Sequence, residues 1–232
     1  MTAAALSQTA RIETSQRDGS DERPAAEAAD LVYVLDDDHQ LCLSLAWLLD
    51  SVHIRTKCFT DADSFLAGFD PDLPACLVLD VRMPGVSGFR VQELLNARDA
   101  ALPVVFVSAH GDIPMSVRAL QQGAVDFLEK PYDPQRMLDV VQGALRTAGR
   151  RYAQRAERRA VEERLSLLSP RERDILRQVI AGEPSKVIAR RLGISLKTVD
   201  AHRARIREKT DADTLGCLIG DMMRCGLDQS QV

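Results

Sequence analysis

The chain has 232 residues, of which 45% are hydrophobic and 28% charged, and its formal net charge at pH 7 is −4. This length suits two globular domains, and the composition excludes a collagen-like or wholly disordered chain. No apolar stretch approaches the roughly 18 residues that a membrane span needs, and no secretion signal is present. We therefore expect a cytoplasmic protein with no membrane association.

Charge is unevenly distributed along the chain. Residues 1–30 contain six acidic and three basic residues and no aromatic residue, so we expect a disordered tail there. Residues 31–147 carry a net charge of −7, whereas residues 148–164 and 165–232 each carry +3. A nucleic-acid contact, if there is one, should lie towards the C-terminus.

The front half alternates two kinds of segment. Short, continuous apolar runs are typical of strands buried on both faces, and amphipathic segments of helical length separate them. The runs are Leu31–Leu35, Ile54–Phe59, Cys76–Leu79, Val104–Val107 and Val125–Leu128. The helical segments are Gln40–Ser51, Ala62–Phe69, Gly88–Ala97, Pro114–Gln122 and Pro134–Thr147. Five successive units predict an α/β doubly wound fold with a five-stranded parallel sheet.

Polar residues follow these strands where each strand ends. Asp36 and Asp37 follow the first strand, Asp80 ends the third, Ser108 ends the fourth and Lys130 follows the fifth. Since the carboxyl ends of parallel strands share one edge of a sheet, these side chains should converge in a cleft.

Three converging carboxylates repel one another unless a hard cation such as Mg²⁺ lies between them. A lysine opposite them would balance an incoming dianion, and phosphoryl transfer needs mainly positioning and charge neutralisation. The sequence thus predicts Asp80 as a carboxylate nucleophile, assisted by Mg²⁺ and Lys130. A helix-capping Asp pair with a surface lysine is the alternative, but five such residues at four strand ends favour a site.

The motifs DDD, LVLDVRMPGVSG, VVFVSAHGD and AVDFLEKPY resemble the flavodoxin-like receiver domain of two-component response regulators over residues 31–147. The resemblance implies that Asp80 accepts a phosphoryl group. It implies Mg²⁺ ligation by Asp37, Asp80 and the backbone carbonyl of Arg82, with Asp36 acting largely through water.

The same resemblance assigns four further positions. Ser108 would bond the phosphoryl group, Lys130 would precede a cis-proline at Pro131, and Phe127 would be an aromatic switch.

Rival phosphate chemistry is disfavoured, because no GxxxxGK[ST] loop is present and Arg82 replaces the second aspartate of a DxD phosphatase pair. We expect that the protein is not an enzyme and catalyses no reaction beyond its own phosphorylation.

Residues 148–164 are rich in helix formers and in charges of both signs, which predicts a solvated linker helix. We expect the last receiver helix to break near Gly149. Leu165, Leu167 and Leu168 should then dock onto a second domain.

The pattern of residues 165–225 predicts four helices, within a second domain at residues 165–232. Ser169, Pro170 and Glu172 form a helix start with the spacing of a capping box. Gly193 makes a tight turn between the second and third helices, which is typical of helix-turn-helix DNA binding, although an all-α interaction bundle would show a similar pattern. The string LSPRERDILRQVIAGEPSKVIARRLGISLKTVDAHRARIREKT resembles the LuxR/NarL-type DNA-binding domain, so the whole chain resembles a FixJ-type response regulator.

Helical periodicity defines a DNA-facing surface on the third of these helices. If Val199 and Ile206 face the core, one set of side chains faces outward and should enter the major groove. This set is Lys197, Asp200, Ala201, Ala204 and Arg205. Thr198, His202 and Lys186 flank it and should contact phosphates.

The resemblance implies a phosphorylation-dependent transcriptional regulator. A sensor histidine kinase would phosphorylate Asp80, and the protein would then form a homodimer and bind double-stranded promoter DNA. The alternative is an adaptor that binds a protein partner through its receiver independently of phosphorylation.

Overall fold

The computed structural model describes residues 30–98 and 100–231. The predicted tail lies outside the described residues, apart from Asp30. Within the described part no helix is both long and apolar enough to cross a bilayer.

The N-terminal domain is a five-stranded parallel sheet with the strand order β2-β1-β3-β4-β5. The strands are β1 (Leu31–Leu35), β2 (Arg55–Phe59), β3 (Ala75–Asp80), β4 (Val104–Ser108) and β5 (Asp126–Glu129). The intervening helices are α1 (His39–Asp50), α2 (Ala62–Gly68), α3 (Gly88–Ala97) and α4 (Ile113–Gln121). The predicted doubly wound α/β fold is therefore confirmed.

Two apolar clusters lie on the two faces of the sheet. One packs α1 and the first half of the long helix α5 (Pro134–Ser166) against the sheet, and the other packs α2, α3 and α4 against the opposite face. This double cover explains why β3 and β4 are buried along their whole lengths.

A single helix, α5 (Pro134–Ser166), connects the two domains. The predicted break near Gly149 is wrong, because the helix continues through this exposed position without interruption. Its first half belongs to the core of the N-terminal domain, and Val161 and Leu165 near its end belong to the core of the second domain. Apolar anchors at both ends therefore hold one continuous helix where local propensity alone predicted a break near Gly149.

The C-terminal domain has four further helices, as predicted: α6 (Pro170–Ile180), α7 (Ser185–Leu192), α8 (Leu196–Lys209) and α9 (Leu215–Arg224). The αL conformation of Gly193, with φ of 64°, ends α7 and allows the tight turn into α8. Leu165 and Leu168 are buried in this core, as expected, but Leu167 is 59% exposed. The prediction that Leu167 docks is therefore wrong, because the last turn of α5 points it away from the core.

Candidate functional site

The predicted cleft residues converge at one edge of the sheet. Asp36 directly follows β1, Asp80 and Ser108 end β3 and β4, and Lys130 directly follows β5. Because these strands are parallel and adjacent in the sheet, their carboxyl ends bring the four side chains together.

The Lys130 side chain links two carboxylates from different strands. Its Nζ donates to Asp36 Oδ2 at 2.5 Å and to Asp80 Oδ1 at 3.0 Å. Asp36 and Asp80 are 4% and 5% exposed, so this ion-pair network is largely removed from solvent. The peptide bond between Lys130 and Pro131 is cis, as the sequence resemblance implied.

Three carboxylates form a compact oxygen cluster. Ligand oxygens of Asp36, Asp37 and Asp80 all lie within 4.8 Å of one another, and Asp37 is exposed at the mouth of the cluster. The Arg82 N–H donates to Asp80 Oδ2 at 3.0 Å, and the Asp38 N–H donates to Asp36 Oδ1 at 3.0 Å. A hard divalent cation fits this all-oxygen donor set.

Electrostatics distinguish Asp80 from a surface carboxylate. Burial raises the pKa of Asp80 above its ordinary value, and nearby Asp36 adds to the increase, although Lys130 and the Arg82 N–H oppose it. Burial alone would lower the pKa of Lys130, but its hydrogen bonds to Asp36 and Asp80 outweigh burial and raise it. Lys130 therefore stays protonated beside the carboxylates.

The two predicted switch residues lie on neighbouring strands, Ser108 at the end of β4 and Phe127 on β5. Ser108 is 1% exposed, and its Oγ accepts from the His110 N–H at 3.3 Å. Phe127, on β5, is half-buried against the apolar cluster that α2, α3 and α4 cover. The structure thus places both predicted switch residues next to the β4–α4 loop.

Sequence reasoning missed one residue that shapes the cleft. Gly88 begins α3, and a Cβ at this position would lie only 2.3 Å from the backbone O of Asp80. A side chain there is therefore incompatible with the present position of the β3 end. The sequence contains one signal for this contact, the Ser87-Gly88 pair after LVLDVRMPGV. Ser87 caps α3, and a glycine directly after the cap lets the start of the helix approach a strand closely.

The residues of the predicted DNA-facing surface lie on α8, and their exposure can be compared with the prediction. Val199 and Ile206 are fully buried, as predicted. The five residues predicted to face outward are all exposed: Lys197, Asp200, Ala201, Ala204 and Arg205. Val199 and Ile206 thus hold this helix against the domain core from one side and leave the other side to solvent.

The predicted phosphate-contacting residues flank this surface in different ways. Lys186, on α7, is exposed, whereas Thr198 and His202 are half-buried. The hydroxyls of Thr198 and Ser195 share a hydrogen bond of 2.8 Å at the start of α8. Arg203, which was not among the predicted contacts, donates to Ser185 Oγ at 2.8 Å and so connects α8 to α7.

A buried polar network supports the helices beneath that surface. Glu172, which is 3% exposed, accepts from the Ser169 N–H and from Lys209 Nζ, each at 2.8 Å. Burial alone would raise the pKa of Glu172, but these bonds outweigh it and lower the pKa to about 2. The capping box that the sequence predicted at α6 is therefore also the anchor for the end of α8.

Comparison with known families matches both halves of the chain. Residues 32–142 match the response regulator receiver domain, and residues 166–215 match the bacterial regulatory proteins of the luxR family. The transcriptional regulatory protein TdiR of Thauera aromatica is 42% identical over 196 residues, covering 84% of this chain and 86% of TdiR. The transcriptional regulatory protein FixJ of Bradyrhizobium diazoefficiens is 37% identical, covering 84% of this chain and 96% of FixJ.

Solved structures show the same two-part architecture. The response regulator StyR superposes with a TM-score of 0.72 at 39% identity, covering 84% of this chain and 99% of StyR. Full-length FixJ from B. japonicum superposes with a TM-score of 0.50 at 37% identity, covering 84% of this chain and 97% of FixJ.

Proposed function

Because the chain belongs to the two-component response regulators that join a receiver to a LuxR-type DNA-binding domain, we propose that Asp80 accepts its phosphoryl group. The protein is a phosphorylation-dependent transcriptional regulator. A sensor histidine kinase is the phosphoryl donor in this proposal: the P–N bond of its phosphohistidine breaks, and a P–O bond to the Asp80 carboxylate forms.

The observation that carries the proposal is the network joining Lys130 to Asp36 and Asp80. A carboxylate acts as a nucleophile only when it is ionised, and Lys130 Nζ, 3.0 Å from Asp80 Oδ1, favours the ionised form. Its positive charge also attracts the incoming phosphoryl group and stabilises charge that develops during transfer. The neighbouring Ser108 hydroxyl is close to the same edge and would donate to a phosphoryl oxygen.

We assign Mg²⁺ to the oxygen cluster of Asp36, Asp37 and Asp80. Asp37, Asp80 and the Arg82 carbonyl would hold the ion directly, and Asp36 would act through water. When bound, Mg²⁺ supplies neutralisation of the phosphoryl oxygens. Support comes from the short distances between the three carboxylates. At these distances their negative charges repel one another unless a cation compensates them.

For DNA binding, the proposal assigns base contacts to the exposed surface of α8. Lys197, Asp200, Ala201, Ala204 and Arg205 would lie in the major groove, in the manner of a recognition helix. The flanking residues, Lys186, Thr198 and His202, would contact phosphates. Support comes from the burial of Val199 and Ile206, which fixes the rotation of the helix.

We propose that phosphorylation leads to a homodimer through α4. Ile113, Val117 and Leu120 form an apolar stripe along this helix at helical spacing, and they are 79%, 45% and 50% exposed. Movement of Ser108 and Phe127 at the adjacent β4–α4 loop and β5 would alter this surface. A second copy that presents the same stripe would cover it in a two-fold interface.

The proposed domain division is a receiver at residues 31–147, a linker at 148–164 and a DNA-binding domain at 165–232. Support comes from the apolar clusters: the receiver clusters extend to Leu145, and the third cluster begins at Val161. The intervening part of α5 is mostly exposed, as a connection between two cores should be.

The direct test replaces the acceptor without changing its shape. With Mg²⁺ and acetyl phosphate, the wild-type protein should gain one phosphoryl group in its intact mass, and hydroxylamine should remove it because acyl phosphates are labile. Asp80→Asn should gain none, whereas Asp139→Asn, an exposed carboxylate on α5, should behave as wild type. Labelling of Asp80→Asn at the wild-type rate would show that another residue is the acceptor.

A further inference from the structure

Gly111 lies in the loop between β4 and α4 and contacts the ring of Phe127. A Cβ at Gly111 would lie 2.9 Å from Phe127 Cε1 and 3.5 Å from its Cζ, and 3.6 Å from Glu129 Cβ. The first distance is too short for two carbon atoms that are not bonded to each other. Only a residue without a side chain therefore allows the ring to occupy its present position against the loop.

The backbone at Gly111 does not itself require glycine. The described glycines with positive φ are Gly85, Gly123, Gly182, Gly193 and Gly226. Gly111 is outside this group, so alanine can adopt its backbone conformation without strain. The ring of Phe127, rather than the backbone, is what a substitution at this position would meet.

The atoms that obstruct a side chain at Gly111 belong to a group that can rotate. At Gly88 a Cβ would meet the backbone O of Asp80, which can move only if the strand moves. At Gly111 it would meet the tip of a half-buried ring, which can leave by rotation about the side-chain bonds. An added methyl group should therefore displace the ring and leave the fold intact.

The same loop connects this contact to the phosphorylation site. Ser108 Oγ accepts from the His110 N–H at 3.3 Å, so the loop backbone fixes the position of the hydroxyl that would bond a phosphoryl oxygen. Only two residues, Ala109 and His110, separate Ser108 from Gly111. The positions of the hydroxyl, the loop and the ring are consequently linked, with the ring against Gly111 while Ser108 bonds the loop.

We propose that Gly111 is a positioning residue that gives Phe127 its place in the unphosphorylated receiver. A side chain at residue 111 removes this place and moves the receiver towards its phosphorylated arrangement without a phosphoryl group. The proposal rests on the assignment of Ser108 and Phe127 as the switch. Beyond that assignment, it identifies Gly111 as the residue that determines how the Phe127 ring is distributed between its two positions.

The test compares Gly111→Ala with wild type by sedimentation velocity in the absence of a phosphoryl donor. Since the minor state of a two-state protein is commonly populated at about 0.1–10%, removal of the major ring position should lower the dimer dissociation constant roughly tenfold or more. The rate at which acetyl phosphate labels Asp80 provides a separate measure of the phosphorylation chemistry. Gly143→Ala, whose Cβ would approach nothing nearer than Arg146 Nη2 at 3.8 Å, is the matched control and should not change the constant.

A second measurement follows the ring itself. With 4-fluorophenylalanine incorporated, the fluorine resonance of Phe127 (assigned through Phe127→Leu) should shift in Gly111→Ala towards its position in phosphorylated wild type. This readout does not depend on dimerisation. If wild type takes up phosphoryl groups and remains monomeric, the dimer proposal fails while the resonance still decides the role of Gly111.

The double variant Gly111→Ala/Phe127→Ala isolates the contact. Because no ring remains to be displaced, it should match Phe127→Ala in both dimerisation and unfolding temperature. An unchanged resonance in Gly111→Ala, or weaker dimerisation with donor present, would overturn the proposal. Failure of Gly111→Ala to fold would overturn it as well, because the ring then could not rotate away.

Discussion

The receiver cleft and the DNA-facing surface are built in opposite ways. In the cleft, Asp36, Asp80, Ser108 and Lys130 come from the ends of four strands that are distant in sequence, and the first three are at most 5% exposed. The DNA-facing surface takes its five outward side chains from a single helix, α8, and all five are exposed.

This difference determines how each region responds to substitution. In the cleft, the backbone fixes the distances between charged groups, so a change in packing at a strand end should disturb the chemistry. On α8, the exposed side chains are independent of one another, so each substitution should act locally. The position of α8 itself depends on the buried network of Glu172 and Lys209 and on the core beneath it.

The largest effect is expected for Gly88→Ala, which tests the dependence of the cleft on its backbone. Its Cβ would lie 2.3 Å from the Asp80 O and 3.1 Å from Leu79 Cγ and Phe106 Cε1. Overpacking of this kind typically costs about 1–3 kcal/mol, and we expect the upper end, because a backbone atom is the obstacle. Urea unfolding should show this loss, and labelling by acetyl phosphate should slow in the folded fraction.

Gly143→Ala is the control for that experiment, because it adds the same methyl group where nothing lies nearer than Arg146 Nη2 at 3.8 Å. If Gly88→Ala is as stable as Gly143→Ala and is phosphorylated at the wild-type rate, the cleft tolerates movement of β3. The contrast between a cleft fixed by its backbone and an independent DNA-facing surface would then be wrong.

The next largest effect is expected for Glu172→Gln, which tests the support beneath the DNA-facing surface. The substitution removes the charge that accepts from Lys209 and from the Ser169 N–H. Hydrogen bonds to charged groups contribute about 1.5–3 kcal/mol, so the unfolding free energy of the C-terminal domain should fall by about 2 kcal/mol at pH 7. Thermal unfolding followed by circular dichroism measures the difference.

The pH dependence of that difference has a definite sign. The folded pKa of Glu172, about 2, lies below the ordinary value of 4.5, so ionised Glu172 stabilises the folded state above pH 4.5. This stabilisation is lost as the pH falls from 4.5 towards 2. The difference in unfolding free energy between wild type and Glu172→Gln should therefore become smaller over this range. A difference that does not change with pH would mean that the substitution acts through packing.

A smaller effect is expected for single side chains on the DNA-facing surface. Arg205→Ala should weaken binding to the cognate duplex roughly tenfold, within the range of about 1–3 kcal/mol for a guanine contact, and change binding to a scrambled duplex little. Lys186→Ala should weaken binding to both duplexes alike and reduce the salt dependence by about one contact. Gel-shift titrations at several salt concentrations compare the two variants, and equal losses on both duplexes would make Arg205 a phosphate contact.

The elements of both regions were predictable because periodicity and strand-end chemistry are local signals. Continuous apolar runs gave β1, β3 and β4. The edge strands β2 and β5 contain polar residues and are only partly buried, so the prediction that they are apolar and covered on both faces is wrong. The position of Asp80, Ser108 and Lys130 at strand ends followed from parallel topology. The rotation of α8 followed from the spacing of Val199 and Ile206. These features need only the order of residues along one element, together with the rule that parallel strands share an edge.

Contacts between distant elements were not predictable in this way. Gly88 and Gly111 are required by an Asp80 carbonyl and a Phe127 ring that approach them from other strands, and no periodicity encodes that approach. The exposure of Leu167 depends on where the last turn of α5 ends. The continuity of α5 through Gly149 depends on apolar anchors on both sides, Leu145 and Val161, which belong to two different cores.

The smallest effect is expected for Gly149→Ala, which tests the helix that joins the two regions. Gly149 is exposed, and a Cβ there would meet no atom within 4 Å. Glycine within a helix is less favourable than alanine by about 0.5–1 kcal/mol, so the substitution should raise the unfolding free energy by a similar amount. Urea unfolding measures this gain, with Gly143→Ala as the reference on a part of α5 that packs against the sheet. A gain for Gly143→Ala alone would mean that α5 breaks at Gly149 in solution, and that the cleft and the DNA-facing surface are joined by a hinge rather than by a continuous helix.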